Sequence, residues 1–403
     1  MSNFSHRGYE HRTGGYGRRR HKASGFKRKS SGNGFIRYFV IIAAVIAAAA
    51  LIFIFVKYLG PFVDSFKDTD TEAQPIETAD TATPDSPDAP SGSFDIVDSK
   101  VFVSEGSGYV MFKGIDDTAV NYSAVLNSVT SPLADDVSVY SMVIPTNTEF
   151  GLYPDYRKYS NSQKDNLEKM RSALMDRVTD VDLYGTFDLH KNEYIYYRTD
   201  ESLTYLGGYY AYREFAQTAG FKPDYIYSTE KLSEKKGNVR RFEGSFIART
   251  TDEKLQPHGN QELFDNADTV DFFKLPVHYN CFSVDLESGD ETETDLFTTE
   301  KSNSDPLSVF PAKDTALLKI YNVENDNDEN LLIIKDHAGE PVIGYLVPAY
   351  EEVHVIDTEL YKGNINEYIQ ENDITHVLFI SSITDANNSL YCQRLRDLFD
   401  NNI

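Results

Sequence analysis

Three short apolar runs punctuate the last hundred residues: Leu331-Leu332-Ile333-Ile334, Val353-His354-Val355-Ile356 and Val377-Leu378-Phe379-Ile380. Continuous rather than alternating apolar positions are what a strand needs when both faces of a parallel sheet are covered. Helical spacing fills the gaps, at 364–371 and at 388–399, where Leu390, Tyr391, Leu395, Leu398 and Phe399 share one side. Upstream, 137–144 is a similar apolar run stopped by Pro145, preceded by a helical stretch at 118–129 and a hairpin around 100–113. Residues 160–176 place Leu167, Met170, Leu174 and Met175 at i, i+3, i+7 and i+8, one face of a helix. The segments 181–184 and 194–198 read as further strands. Residues 204–219 read as a helix in which Gly207, Ala211 and Phe215 permit close packing. Residues 222–320 have no sustained period and read as β-rich insertions. The pattern predicts a doubly wound three-layer αβα sandwich with a mostly parallel sheet, whose ligand site lies beyond the carboxyl ends of the strands, including 335–340.

The N-terminal part has a different pattern. Residues 38–56 form an uncharged run of 19 residues between Arg37 and Lys57. At about 1.5 Å per residue such a helix spans roughly 30 Å of hydrocarbon. The tail before it, 1–37, holds ten Lys or Arg against one acid, Glu10. A cleaved signal peptide is disfavoured by that long tail and by the absence of a small-residue site after Lys57. The expectation is a transmembrane signal anchor with a basic cytoplasmic tail and everything beyond Lys57 exported, a single-pass protein of the cell membrane. Residues 57–93, rich in Asp, Thr, Pro and Ser, read as an extended stalk, and 94–403 as the folded extracytoplasmic domain.

Composition narrows the function. The chain carries 63 Asp or Glu against 39 Lys or Arg, a formal charge of −24. With the cations concentrated in the tail, the folded part is strongly acidic and nucleic acid is excluded as its partner. Two cysteines, Cys281 and Cys392, supply neither a disulfide framework nor a cysteine zinc cluster, and their spacing does not decide whether they pair. His258, His278, His354 and His376 lack the i, i+4 spacing of a zinc helix. The run 325–330 alternates oxygen-bearing side chains but lacks the Gly and distant Glu of an EF-hand loop, so it reads as a solvated turn. Neither metal nor cofactor is expected. An exposed cluster of Tyr205, Tyr209 and Tyr212 is a candidate for stacking on sugar rings.

Two segments carry a more specific signal. The first is Tyr196-Tyr197-Arg198-Thr199-Asp200-Glu201-Ser202-Leu203-Thr204, followed by Gly207-Gly208-Tyr209-Tyr210-Ala211-Tyr212; the second is Lys335-Asp336-His337-Ala338-Gly339. They resemble the exported DHHW proteins of Gram-positive bacteria, which are similar to the SGNH hydrolase-like alginate O-acetyltransferases. The family patterns read Tyr-Tyr-Arg-Thr-Asp-His-His-Trp-Thr and Lys-Asp-Ser-Tyr-Gly. Supporting segments lie at 143–146, 242–246 and 350–357.

The resemblance implies an SGNH-like fold and, in competent relatives, a Ser nucleophile from the second segment, with the Asp and second His of the first as orienter and base. An imidazole takes the hydroxyl proton while a carboxylate fixes its tautomer. Here Asp200 is kept, Glu201 and Ser202 replace the two His, Leu203 replaces Trp, and His337 stands at the nucleophile position beside Asp336. Losing a triad nucleophile costs about 10⁶ in turnover. No catalytic residue is therefore expected. Two rebuilt arrangements compete with that expectation: His337 paired with Asp200, as a base or holding a metal with Glu201, and Ser202 facing His337. The leading expectation is a triad-lost pseudoenzyme, a binding or scaffold subunit linked to cell-wall or exported polysaccharide modification, with polysaccharide and envelope proteins as partners. The alternatives are an active polysaccharide O-acyl esterase or acetyltransferase with a rearranged site, and a structural cell-envelope protein. For the structure, the resemblance predicts that Asp200, Ser202 and His337 converge at one end of the sheet.

Overall fold

The computed structural model describes residues 86–94, 100–231, 261–298 and 306–400. The basic tail, the apolar run at 38–56 and most of the stalk lie outside them. Among the described residues no helix is long and apolar enough to cross a membrane.

Strands β1 (Gly92–Phe94), β2 (Val101–Ser104) and β3 (Ser107–Val110) form a small antiparallel sheet, so the end of the segment read as a stalk pairs with the folded part. The expected hairpin is its β2–β3 turn, where Glu105 and Gly106 both have positive φ (51° and 72°), the backbone that matches strand twist in a two-residue connection. Next come β4 (Ser138–Ile144) and β5 (Thr179–Asp180), then β6 (Thr229–Lys231) and β7 (Asp271–Phe273), paired as a separate ribbon. They are followed by β8 (Tyr279–Val284), β9 (Glu291–Glu293), β10 (Leu317–Asn322), β11 (Asn330–Lys335), β12 (Glu352–Asp357) and β13 (His376–Ser382).

The large sheet is mixed, with strand order β5-β4-β13-β11-β12-β10-β8-β9. Its first five strands are parallel, and β10, β8 and β9 extend it antiparallel. The apolar runs explain the layering residue by residue. Leu331, Ile333, Leu378 and Ile380 belong to one core, packed under helices Tyr205–Ala219 and Glu340–Leu346. Leu332, Ile334, Val377 and Phe379 belong to the other, under Asp116–Thr130, Ile365–Glu371 and Ser389–Phe399. Each fully buried Leu or Ile contributes about 1.5–3 kcal/mol, which is why strands with two apolar faces sit at the centre. Cys281 and Cys392 fall in the two different cores and are unpaired thiols.

Three local expectations are corrected. Residues 181–184 are not a strand: pairing with β4 ends at Asp180, and Asp182 accepts the Tyr184 N–H as the chain turns into helix Tyr184–Leu189. Residues 194–198 form only an isolated bridge, Tyr196 to Leu203, because the segment folds back on its own continuation. Tyr212 is buried and Tyr209 and Tyr205 pack partly against the core, with Tyr212 stacked on Tyr345, so this cluster is core rather than a sugar platform. Of the expected insertion, short strands are described and 232–260 lies outside the described residues. Residues 325–329 form the turn expected there, with Asp328 at φ 57°, and Asn330 already begins β11.

Candidate functional site

β11 and β13 are parallel neighbours, so their carboxyl ends lie side by side at one end of the sheet. Asp336 caps the turn that leaves β11: its Oδ1 accepts the Ala338 N–H at 2.8 Å and its Oδ2 accepts the Ser382 N–H at 2.6 Å. One buried carboxylate thus ties the exit of β11 to the exit of β13. His337 follows on the short turn His337–Gly339, its ring 48% exposed. Nε2 lies 3.8 Å from Glu201 Oε1 and Nδ1 lies 3.8 Å from Asp385 Oδ2. Burial pulls the imidazole pKa down, but the carboxylates of Asp336, Glu201, Asp385 and Glu340 outweigh it and raise it to about 9. Asp385, in the turn capped by Ser382, is held neutral to higher pH, about 7, by burial and by the adjacent Asp336 charge, against the pull of His337.

The other wall is the 194–204 segment. Thr199 donates its N–H and its hydroxyl to Asp268 Oδ2, both at 2.8 Å, the Tyr194 hydroxyl donates to Asp268 Oδ1, and Arg198 pairs with the same carboxylate at 3.3 Å. The Tyr197 N–H reaches the Ser202 carbonyl and the Thr204 N–H the Ile195 carbonyl, closing the loop. Within it, Ser202 donates its hydroxyl to Asp200 Oδ1 at 2.6 Å. Leu203 is buried, and Thr204 caps helix Tyr205–Ala219. Gly207 and Gly208 are required there: a Cβ would lie 2.3 Å from the Ile195 and Pro341 carbonyl oxygens respectively. The helix therefore presses the loop against the start of helix Glu340–Leu346, beside His337.

Beneath the same strand end lies a closed ion cluster. Lys335 is fully buried, its Nζ 2.7 Å from Asp357 Oδ2 and 3.4 Å from Glu340 Oε1. Burial lifts the Glu340 carboxyl to about 7 despite that ammonium.

A sequence model described as the DHHW protein matches residues 68–356, well over half of the chain. The chain belongs to the DHHW family. Among solved structures, a DHHW family protein from Eubacterium siraeum is similar over 79% of this chain and 98% of its own, at 24% identity and a TM-score of 0.64. Bacillus cereus PatB1 with a sulfonyl adduct is similar over 72% and 98%, at 14% identity and 0.56. These likenesses show the fold. The O-acetyltransferase domain of Pseudomonas putida AlgJ is more distant, 12% identical over 77% and 99%, with a TM-score of 0.42. No curated protein matches by sequence.

In this DHHW chain the two motif segments do meet, through Glu201 rather than Asp200. Ser202 is turned to Asp200, and among the described residues no hydrogen bond joins it to His337. The pairing of His337 anticipated for Asp200 is made with Glu201 and Asp385. Asp385 and Asp268 escaped the sequence reading. Asp385 had a readable signal, since Ser382-Ile383-Thr384-Asp385 has the spacing of a helix start directly after a buried strand. Asp268 had none, standing alone in the least regular stretch. His354, between Glu352 and the Tyr368 hydroxyl, is a buried, hydrogen-bonded imidazole of β12.

Proposed function

We propose that this DHHW protein is a membrane-anchored, extracytoplasmic binding or scaffold subunit of a polysaccharide-modifying system, without acyl-transfer chemistry of its own. One observation carries the reading: the nucleophile position holds His337, flanked by carboxylates, while the motif hydroxyl of Ser202 is bonded to Asp200 and, among the described residues, hydrogen-bonds to no imidazole. A hydroxyl without a base remains a weak nucleophile. The substrate class comes from the family resemblance, and the anchor from the run at 38–56 and the positive tail.

The full-length chain should release no acetate from acetylated glycans above background and take no label from a fluorophosphonate. Ester turnover abolished by His337→Ala or Ser202→Ala would defeat the reading. Retention on an exported glycan would separate it from a purely structural envelope role. Protease added to intact protoplasts should remove the part beyond Lys57 and spare the basic tail. Protection of the C-terminal part would reverse the topology.

A further inference from the structure

We propose that Asp336, His337 and Asp385 bind one divalent transition-metal ion at the carboxyl ends of β11 and β13, with Glu201 orienting the histidine. Their three ligand atoms lie within 4.8 Å of one another. The Nδ1 to Asp385 separation of 3.8 Å is a few tenths of an ångström beyond the roughly 3.4 Å between adjacent ligands of a tetrahedral zinc. Drawing in the whole set, whose atoms lie within 4.8 Å of one another, requires a rotation of the half-exposed ring together with a shift of the Asp385 side chain.

The surroundings are those of a ligand set rather than a chance meeting of acids. The ring presents its two nitrogens to different partners: Nδ1 faces Asp385 and Nε2 faces Glu201, each at 3.8 Å. A carboxylate on the far nitrogen is what fixes the tautomer and orientation of metal-binding histidines. Asp336 is buried and held by two backbone N–H groups, which fixes a first ligand in place while leaving lone pairs on both oxygens. An imidazole with two carboxylates favours zinc, cobalt, iron or manganese over calcium or magnesium. Three protein ligands leave the remaining positions for water or another oxygen donor.

The test is calorimetric titration of the full-length chain, purified without a histidine tag and stripped with chelator, with ZnCl₂ and then with CoCl₂. One saturable Zn²⁺ per chain is expected, undisplaced by excess Mg²⁺, with a visible Co²⁺ absorption band. His337→Ala and Asp385→Asn should each weaken binding at least about tenfold, and Glu201→Gln by about 10- to 100-fold. His337→Gln repeats the first change with a similar volume, and circular dichroism checks that each variant is folded. Uptake that never saturates, or saturable uptake unchanged in a folded His337→Gln/Asp385→Asn double variant, overturns the site. The readout is binding, so it stands apart from whether the chain turns over esters.

Discussion

Two charged clusters grow from the same strand end, two residues apart, and they are built to opposite specifications. Lys335 points into the protein, has no exposed surface, and meets Asp357 at 2.7 Å and Glu340 at 3.4 Å. His337 points outward, is half exposed, and stands 3.8 Å from both Glu201 and Asp385, outside hydrogen-bond range of either. The first cluster is closed by its own geometry. The second gathers Glu201 and Asp385 around one half-exposed imidazole at 3.8 Å each, an open arrangement suited to accepting something from outside. Folding needs the first, and binding can use the second.

The largest expected effect tests the closed cluster. Lys335→Met leaves Asp357 and Glu340 buried without their cation, and breaking a buried pair from one side costs about 3–5 kcal/mol. Urea unfolding should show it, and adding Asp357→Leu should restore a good part. His337→Ala should cost no more than about 1 kcal/mol, as expected of a half-exposed ion pair. Equal losses for Lys335→Met and His337→Ala would erase the contrast.

Asp268→Asn comes next. This buried carboxylate gathers Thr199, Tyr194 and Arg198, and thereby sets the wall that carries Glu201. Weakening charge-assisted bonds and orphaning part of the site should cost about 2 kcal/mol. Amide exchange should rise mainly over residues 194–204. A purely global loss would mean that the loop is not an independently held wall.

The open cluster should also write itself into the pH dependence. The folded pKa of His337, about 9, lies above its ordinary 6.5, so its stabilisation is complete below 6.5 and is lost as pH rises toward 9. Asp385 and Glu340, both raised to about 7, act in the same direction at lower pH, from their ordinary carboxylate range up to about 7. After allowing for solvent screening of a half-exposed ring, the His337 part is on the order of 1 kcal/mol. Stability should fall from pH 6.5 to 9, and His337→Gln should flatten that fall. An NMR titration midpoint for His337 near 6.5 would contradict the charge arrangement.

What could be read from the sequence divides along the same line as the two clusters. β11, β12 and β13 were legible because two-faced burial leaves an uninterrupted apolar run, and the carboxyl end of β11 was legible because parallel sheets open there. The 194–198 segment misled because Tyr-Ile-Tyr-Tyr has strand propensity, while its bonds go to Asp268 and to residues 202 and 204, partners that no local pattern announces. His337 could be named as a substitution at a motif position. Its company could not, since Asp385 and Glu201 arrive from two other parts of the chain, and side-chain convergence depends on the register of strands that pair across more than 40 residues.

The smallest expected effect concerns Ser202. Its hydroxyl is the one group in the motif that superficially keeps nucleophile chemistry, yet it donates to Asp200 within a two-residue turn that also receives the Ser202 N–H at 3.0 Å. In Ser202→Ala the N–H bond remains, so the buried Asp200 carboxylate keeps a partner there. The stability loss should be about 0.5 kcal/mol, near the low end for a single hydrogen bond. Zinc affinity should stay within about twofold, because Ser202 touches neither His337 nor Asp385. If Ser202→Ala weakened zinc binding as strongly as Glu201→Gln, Asp200 and Ser202 would have to be counted as supports of the open cluster. The line between the bonded turn and the carboxylate-ringed imidazole would then have to be redrawn.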